Sequence, residues 1–145
     1  MNLEGKAIYI KFSNEDMEVK IPKLILFDVA RQINKYIGFL QGEKESKDNF
    51  AISDNITKAE NIYTKILIVS GEPYGRQEVI LYLTIAELLI FRYIIFCNHT
   101  LVYFRSTFNI YHTAKFKGLF QQIEGLYDNL NRLEIREYWN YIKNN

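Results

Sequence analysis

Apolar and polar residues alternate along two short segments at the start of the chain. In residues 7–12 and 17–21 every second side chain is apolar, and these side chains are Ile8, Ile10, Phe12, Met17, Val19 and Ile21. A period of two is typical of strands with one buried face. The polar turn 13–16 between them predicts an antiparallel hairpin, which ends at Pro22 because proline has no backbone N–H to donate.

A helical period follows this hairpin. Between residues 26 and 40 apolar side chains recur every three or four positions, which predicts an amphipathic helix. The polar residues 42–58 predict an exposed loop, in which 50–52 form a minor strand or a turn of helix. The β-branched run 65–69 predicts a third strand, which ends at the turn 70–75.

Residues 77–104 are apolar on nearly every side, and the span contains Glu87 and Arg92. Each charge costs about 2.5–3.5 kcal/mol at the centre of a bilayer. The span therefore predicts a central buried helix of a soluble domain and not a membrane helix. Residues 98–100 predict a break before a second helix over about 101–113.

The last third of the chain predicts two more amphipathic helices. One apolar stripe runs from Phe116 to Leu130, residues 129–131 predict a turn, and the final helix carries Leu133, Ile135, Tyr138, Trp139 and Ile142. These elements predict an α+β protein with a small N-terminal three-stranded sheet packed against a helical layer. We expect a single domain over 1–145, with the sheet and core helices in 1–104 and a C-terminal helical extension in 105–145.

Composition narrows the classes of function. A chain of 145 residues buries roughly two-thirds of its unfolded surface. The 18 basic and 17 acidic residues are interspersed and leave a net charge of +1, so we expect no nucleic-acid partner. The single cysteine, Cys97, excludes an internal disulfide, and the N-terminus lacks the features of a signal peptide. We expect an intracellular protein, cytoplasmic or nuclear, without membrane attachment.

Candidate catalytic and metal-binding residues are few. Cys97, His99 and His112 are the only soft metal ligands, which is fewer than the four that a structural zinc site needs. The glycines in 70–76 lack the Gly-Lys-Ser/Thr of a phosphate loop. No local motif assembles a catalytic triad. We therefore expect no metal, no cofactor and no enzymatic activity.

One alternative is catalytic. Arg105 and His112 are separated by six residues, which resembles the Arg-x(4–6)-His spacing of HEPN ribonucleases. An arginine and a neutral histidine that converge on one phosphate could cleave RNA, with the histidine as base and the arginine stabilising charge. HEPN domains are all-helical, whereas this chain opens with predicted strands.

Several segments carry a resemblance to a family of interaction modules. Residues 8–13 and 18–19 look like the opening strands of that family, and 65–69 with 78–83 are similar to its third strand and following helix. Near the C-terminus, 116–120 resembles the family's Ile-Lys-Gly-Leu-Leu and 134–142 resembles its Glu-Ile-Arg-Lys-Thr-Phe-Asn-Ile. The family is the BTB/POZ fold in its Skp and elongin C version, whose members are adaptors of cullin-type ubiquitin ligases.

The resemblance implies a BTB/POZ-like fold and a non-catalytic adaptor that joins a cullin-like to an F-box-like protein. It implies a cullin-facing surface at Asn109, Ile110, Tyr111 and His112. It implies an F-box-facing surface at Leu119, Phe120, Ile123, Leu126, Tyr127, Ile135, Tyr138 and Trp139. An alternative that uses the same aromatic surface for binding is a viral or parasite protein that sequesters a host or defence factor, as a monomer or a homodimer.

Overall fold

The computed structural model describes residues 12, 14–47, 49–71, 77–104 and 110–144, with only the backbone for 97–104 and 110–112. Within these residues the fold is α+β and mostly helical, with a two-stranded antiparallel sheet. In chain order the elements are β1 (Met17–Pro22), a 3₁₀ turn (Lys23–Ile25), α1 (Leu26–Ser46), α2 (Phe50–Ser70), β2 (Glu78–Leu83), α3 (Ile85–Phe104), α4 (Ile110–Asp128) and α5 (Arg132–Lys143). The predicted α+β class is confirmed.

Strand β1 forms as predicted, but it pairs with β2. The two strands are antiparallel, with Met17 opposite Leu83 and Ile21 opposite Val79. Of the predicted first strand, residues 7–11 lie outside the described residues, and Phe12 is helical where a strand was predicted. A period of two shows that one face of a strand is buried, but it does not show which segment pairs with it.

Strand β2 corrects the prediction of one long helix over 77–104. Val79, Leu81 and Leu83 are buried while Glu78 and Tyr82 are exposed, which is the alternation of a strand. The helix that follows, α3, begins only at Ile85 and then continues to Phe104 without the predicted break at 98–100. Segment 78–83 is thus a strand where the family resemblance implied a helix.

A capping box places the start of α3. The Thr84 Oγ1 accepts the backbone N–H of Glu87 at 3.0 Å, and the Glu87 Oε1 accepts the backbone N–H of Thr84 at 2.8 Å. This reciprocal pair satisfies two donors that a helix N-terminus otherwise leaves without partners. The sequence Thr-x-x-Glu therefore separates β2 from α3.

Helices α1 and α2 replace the predicted loop and third strand. Residues 42–58 are mostly helical, because α1 extends to Ser46 and α2 begins at Phe50. Asn49 caps α2, since its Oδ1 accepts the backbone N–H of Ile52 at 2.9 Å. In the run 65–69, Ile66 is buried while its neighbours Leu67 and Ile68 are exposed, as expected for one turn of an amphipathic helix. The strand predicted there is wrong.

Two hydrophobic clusters hold the elements together. The larger one joins the inner face of the sheet to the buried stripes of α1 to α4. The smaller one attaches α5 to the start of α3 and contains Phe12, Ala86, Leu89, Ile135, Tyr138 and Ile142. The helices predicted at 26–40 and in the last third are confirmed, as is the turn before α5. None of the helices, over their described residues, is long and apolar enough to span a membrane.

Candidate partner-binding surface

The structure divides the predicted F-box-facing residues into two groups. Four of them are buried in the free chain, namely Leu119, Ile123, Ile135 and Tyr138. Phe120, Leu126 and Tyr127 are half-buried. Trp139 has a 36% exposed side chain. Buried residues cannot contact a partner without unfolding, so of this predicted set Trp139 offers the most accessible ring.

The predicted cullin-facing residues lie at the start of α4. Asn109 lies outside the described residues. Ile110, Tyr111 and His112 form the first turn of α4, where the structure describes the backbone alone. Their role in binding stays a prediction.

Tyr127 is covered by two arginines. The Arg92 guanidinium lies 3.8 Å from the centre of the Tyr127 ring, and the Arg132 guanidinium lies 4.1 Å from it. Arg92 also binds Glu124 through two nitrogens, at 2.6 and 3.2 Å. These contacts join α3, α4 and α5, so Tyr127 has a structural role whether or not a partner binds.

Trp139 borders an open groove where α1, α2, α3 and α5 meet. The groove has a volume of about 470 Å³, which is within the range of roughly 300–1,000 Å³ that ligand sites occupy. Its lining residues are Tyr36, Phe39, Leu40, Glu43, Asn49, Ala51, Ile52, Asn55, Leu89, Ile90, Tyr93 and Trp139. We call this feature the aromatic groove.

Four rings from three helices line the aromatic groove. Phe39 is 60% exposed and Tyr93 is 55% exposed, although both are large apolar side chains. Tyr36 and Tyr93 contact each other with ring centres 5.7 Å apart and planes tilted by 54°. Leu40, Leu89 and Ile90 are buried beneath them. The groove therefore combines a solid apolar floor with rings that remain accessible.

The polar groups of the aromatic groove include one carboxylate and one acceptor without a hydrogen-bond partner. The exposed Glu43 is the one charged residue among its described lining residues. The Asn49 Oδ1 is already used to cap α2. The Asn55 Oδ1 is buried and has no hydrogen-bond partner. An unsatisfied buried oxygen costs about 1–3 kcal/mol, which a donor from a bound ligand would recover.

Sequence reasoning missed three of the four rings. Of these rings, only Trp139 is among the residues that the family resemblance implies for partner binding. The sequence does contain one sign of the groove, which is the position of Phe39. This residue lies off the stripe formed by Ile33, Ile37 and Leu40, so its large ring lies on the solvent side of α1. Tyr93 and Trp139 join it only because the helices converge.

A second cavity, of about 510 Å³, surrounds Lys65 and is lined mostly by residues with polar side chains. The Lys65 Nζ lies 2.7 Å from Glu15, 2.7 Å from the buried Glu87 and 3.0 Å from the carbonyl of Tyr82. These three acceptors match the three hydrogens of an ammonium group. Lys65 thus stabilises the cap of α3 and has no donor left for a ligand.

The residues of the other chemical hypotheses are only partly described. Over the side chains that the structure describes, no three His, Cys, Asp or Glu residues lie close enough to hold a metal ion. Cys97 and His99 belong to the backbone-only part of α3, and His112 to that of α4. Arg105 lies outside the described residues. The ribonuclease alternative stays a prediction.

Comparison of the chain with protein-family models, with curated proteins and with solved structures found no match. The resemblance to Skp and elongin C therefore stays a prediction that rests on the short segments quoted above.

Proposed function

We propose that the protein is a non-catalytic adaptor that binds a partner protein through the aromatic groove. The observation that carries the proposal is the set of exposed rings, Phe39, Tyr93 and Trp139, around a buried apolar floor. Tryptophan and tyrosine are enriched at the centres of protein interfaces, where a few residues supply most of the binding energy. A groove of this kind fits an anchoring side chain of a partner.

The groove would be the centre of a larger contact. A stable interface buries roughly 800 Å² on each partner, which is more than four rings supply. The polar last turn of α1 and the exposed residues of α5 around Trp139 would form the rim. A polar rim around an apolar centre is the usual arrangement of such interfaces.

The finer proposal is that the adaptor is of the Skp and elongin C type, with F-box-like and cullin-like partners. Its support is the pair of C-terminal sequence matches, which lie in α4 and α5. Trp139 belongs both to the second match and to the aromatic groove, so the F-box-like partner would be the one that uses the groove.

Phe39 and Phe27 provide a matched test of the groove. Both lie on α1 and both are exposed, Phe27 at 74%, but only Phe39 lines the groove. Proteins that co-purify with the chain are identified by mass spectrometry and purified. The dissociation constant of each one for the chain is then measured. We expect Phe39→Ala and Trp139→Ala to weaken binding at least about 30-fold, the size typical of interface hot spots. Phe27→Ala should change it by less than about twofold.

Equal effects of Phe27→Ala and Phe39→Ala, or a persistent lack of any purified partner, would refute the groove as a docking site. Recovery of a partner unrelated to cullins and F-box proteins would refute the Skp-type proposal alone. An adaptor must hold two proteins at once, so a complex that excludes a second partner in light scattering would favour sequestration.

A further inference from the structure

We infer that the aromatic groove receives an arginine side chain of the partner protein, an inference that rests on the proposed function. It depends on the kinds of group that line the groove. Glu43 supplies a carboxylate, Asn55 supplies a buried oxygen without a hydrogen-bond partner, and the rings supply electron-rich faces. All three favour a cationic donor.

The groove also lacks any group that would repel a cation. Its described lining residues include no lysine, arginine or histidine, although basic residues are interspersed along the rest of the chain. Glu43 therefore has no cationic neighbour among the lining residues. A bound cation would supply the missing countercharge.

Two features select a guanidinium group over other cations. The Asn55 Oδ1 needs an N–H donor, which a quaternary ammonium does not have. A guanidinium group is planar, carries five N–H donors, stacks on aromatic rings and is more weakly hydrated than an ammonium group. A guanidinium group can therefore stack on a ring and still have N–H donors left for acceptors such as Glu43 and Asn55. The aliphatic stem of the arginine would lie on the apolar floor.

The single tryptophan of the chain makes this inference testable directly. Because Trp139 is the only tryptophan and lines the groove, its fluorescence reports occupancy of this site. The probes are the peptide acetyl-Leu-Arg-Leu-amide and the same peptide with citrulline or lysine in place of arginine. Citrulline keeps the shape of arginine and removes its charge. We expect the arginine peptide to bind about tenfold more tightly than the citrulline peptide, as a charge-assisted hydrogen bond predicts.

Variants then assign the contacts. Glu43→Gln should reduce the preference for arginine over citrulline to about twofold or less, because it removes the countercharge and keeps the shape. Asn55→Ala should weaken binding of the arginine peptide about fivefold. The matched control is Glu60→Gln, which removes an exposed carboxylate of α2 outside the groove and its rim and should leave both constants unchanged. Circular dichroism verifies that each variant is folded.

Several results would overturn the inference. Equal binding of the arginine and citrulline peptides would show that the groove does not select charge. Equal binding of the lysine and arginine peptides would show that it does not select a guanidinium group. A preference that survives Glu43→Gln would place the cation elsewhere. In each case Phe39→Ala would still weaken binding of the purified partner if the adaptor proposal is right, so the two proposals fail separately.

Discussion

Tyr138 and Trp139 are consecutive residues of α5 with opposite environments. Tyr138 is 1% exposed and stacks on Phe12 with ring centres 4.5 Å apart and planes parallel within 1°. Trp139 is turned about 100° around the helix axis and faces the aromatic groove. The two rings still touch, with centres 5.3 Å apart. Two adjacent rings of α5 thus belong to different environments, one to the core and the other to the surface.

Truncation of these two rings should separate stability from binding. Tyr138→Ala should lower the free energy of unfolding by about 3–5 kcal/mol, because it leaves a cavity in the smaller cluster. Trp139→Ala should lower it by less, about 1–2 kcal/mol, because the residue is already 36% exposed to water. Urea denaturation followed by circular dichroism measures both values. Equal losses would mean that Trp139 is part of the core.

At the scale of elements, the run 65–69 and the run 78–83 have exchanged their predicted states. Both are short and apolar, and periodicity alone does not distinguish a buried strand from a buried turn of helix in such runs. The context decides: 65–69 lies in the last turns of a helix that begins at the Asn49 cap, whereas 78–83 ends at the Thr84 cap. The amphipathic helices were predictable because their stripes are longer than any strand would be.

The capping box of α3 should be a main determinant of stability. Glu87 is 2% exposed and its Oε1 accepts from both Thr84 and Lys65. Glu87→Ala removes the cap and leaves Lys65 without its buried countercharge, so it should lower the free energy of unfolding by about 3 kcal/mol. The control Glu60→Ala, at an exposed position of α2, should change it by less than about 0.5 kcal/mol. A loss for Glu87→Ala as small as that of the control would contradict this role.

At the scale of the whole molecule, the outer edge of β1 is covered by a side chain from α4. The Gln122 Oε1 accepts the backbone N–H of Lys20 at 2.8 Å, and the Gln122 Nε2 donates to the carbonyl of Lys20 at 2.8 Å. The amide thus imitates the hydrogen bonds of a neighbouring strand. Exposed strand edges promote pairing between chains, and a side chain in this position blocks that pairing locally.

Removal of this cover should affect both stability and association. Gln122→Ala eliminates two hydrogen bonds and should lower the free energy of unfolding by about 1–2 kcal/mol. It should also increase self-association, because the edge of β1 becomes available to a second copy. Light scattering against protein concentration measures the association, with the exposed neighbour Gln121→Ala as control. A variant that stays as monomeric as the control would show that other features protect the edge.

The aromatic groove was predictable only in part, because it is formed by residues that are distant along the chain. Trp139 was identified from its segment, but Tyr36, Phe39 and Tyr93 become neighbours only when α1 and α3 pack. Leu119 and Ile123, predicted as partner contacts, lie on the side of α4 that faces the sheet. A stripe on a helix shows that a face is apolar, but it does not show whether that face meets the core or a partner.

Local periodicity determined the amphipathic helices α1, α4 and α5 and the strand character of β1, because it depends on side chains a few positions apart. The tertiary structure alone decided that β1 pairs with β2, that Gln122 closes its edge and that four rings surround one groove. These features join residues that are distant along the chain. Which distant segments meet depends on how all the apolar faces are buried together, and no single stretch of sequence contains that information.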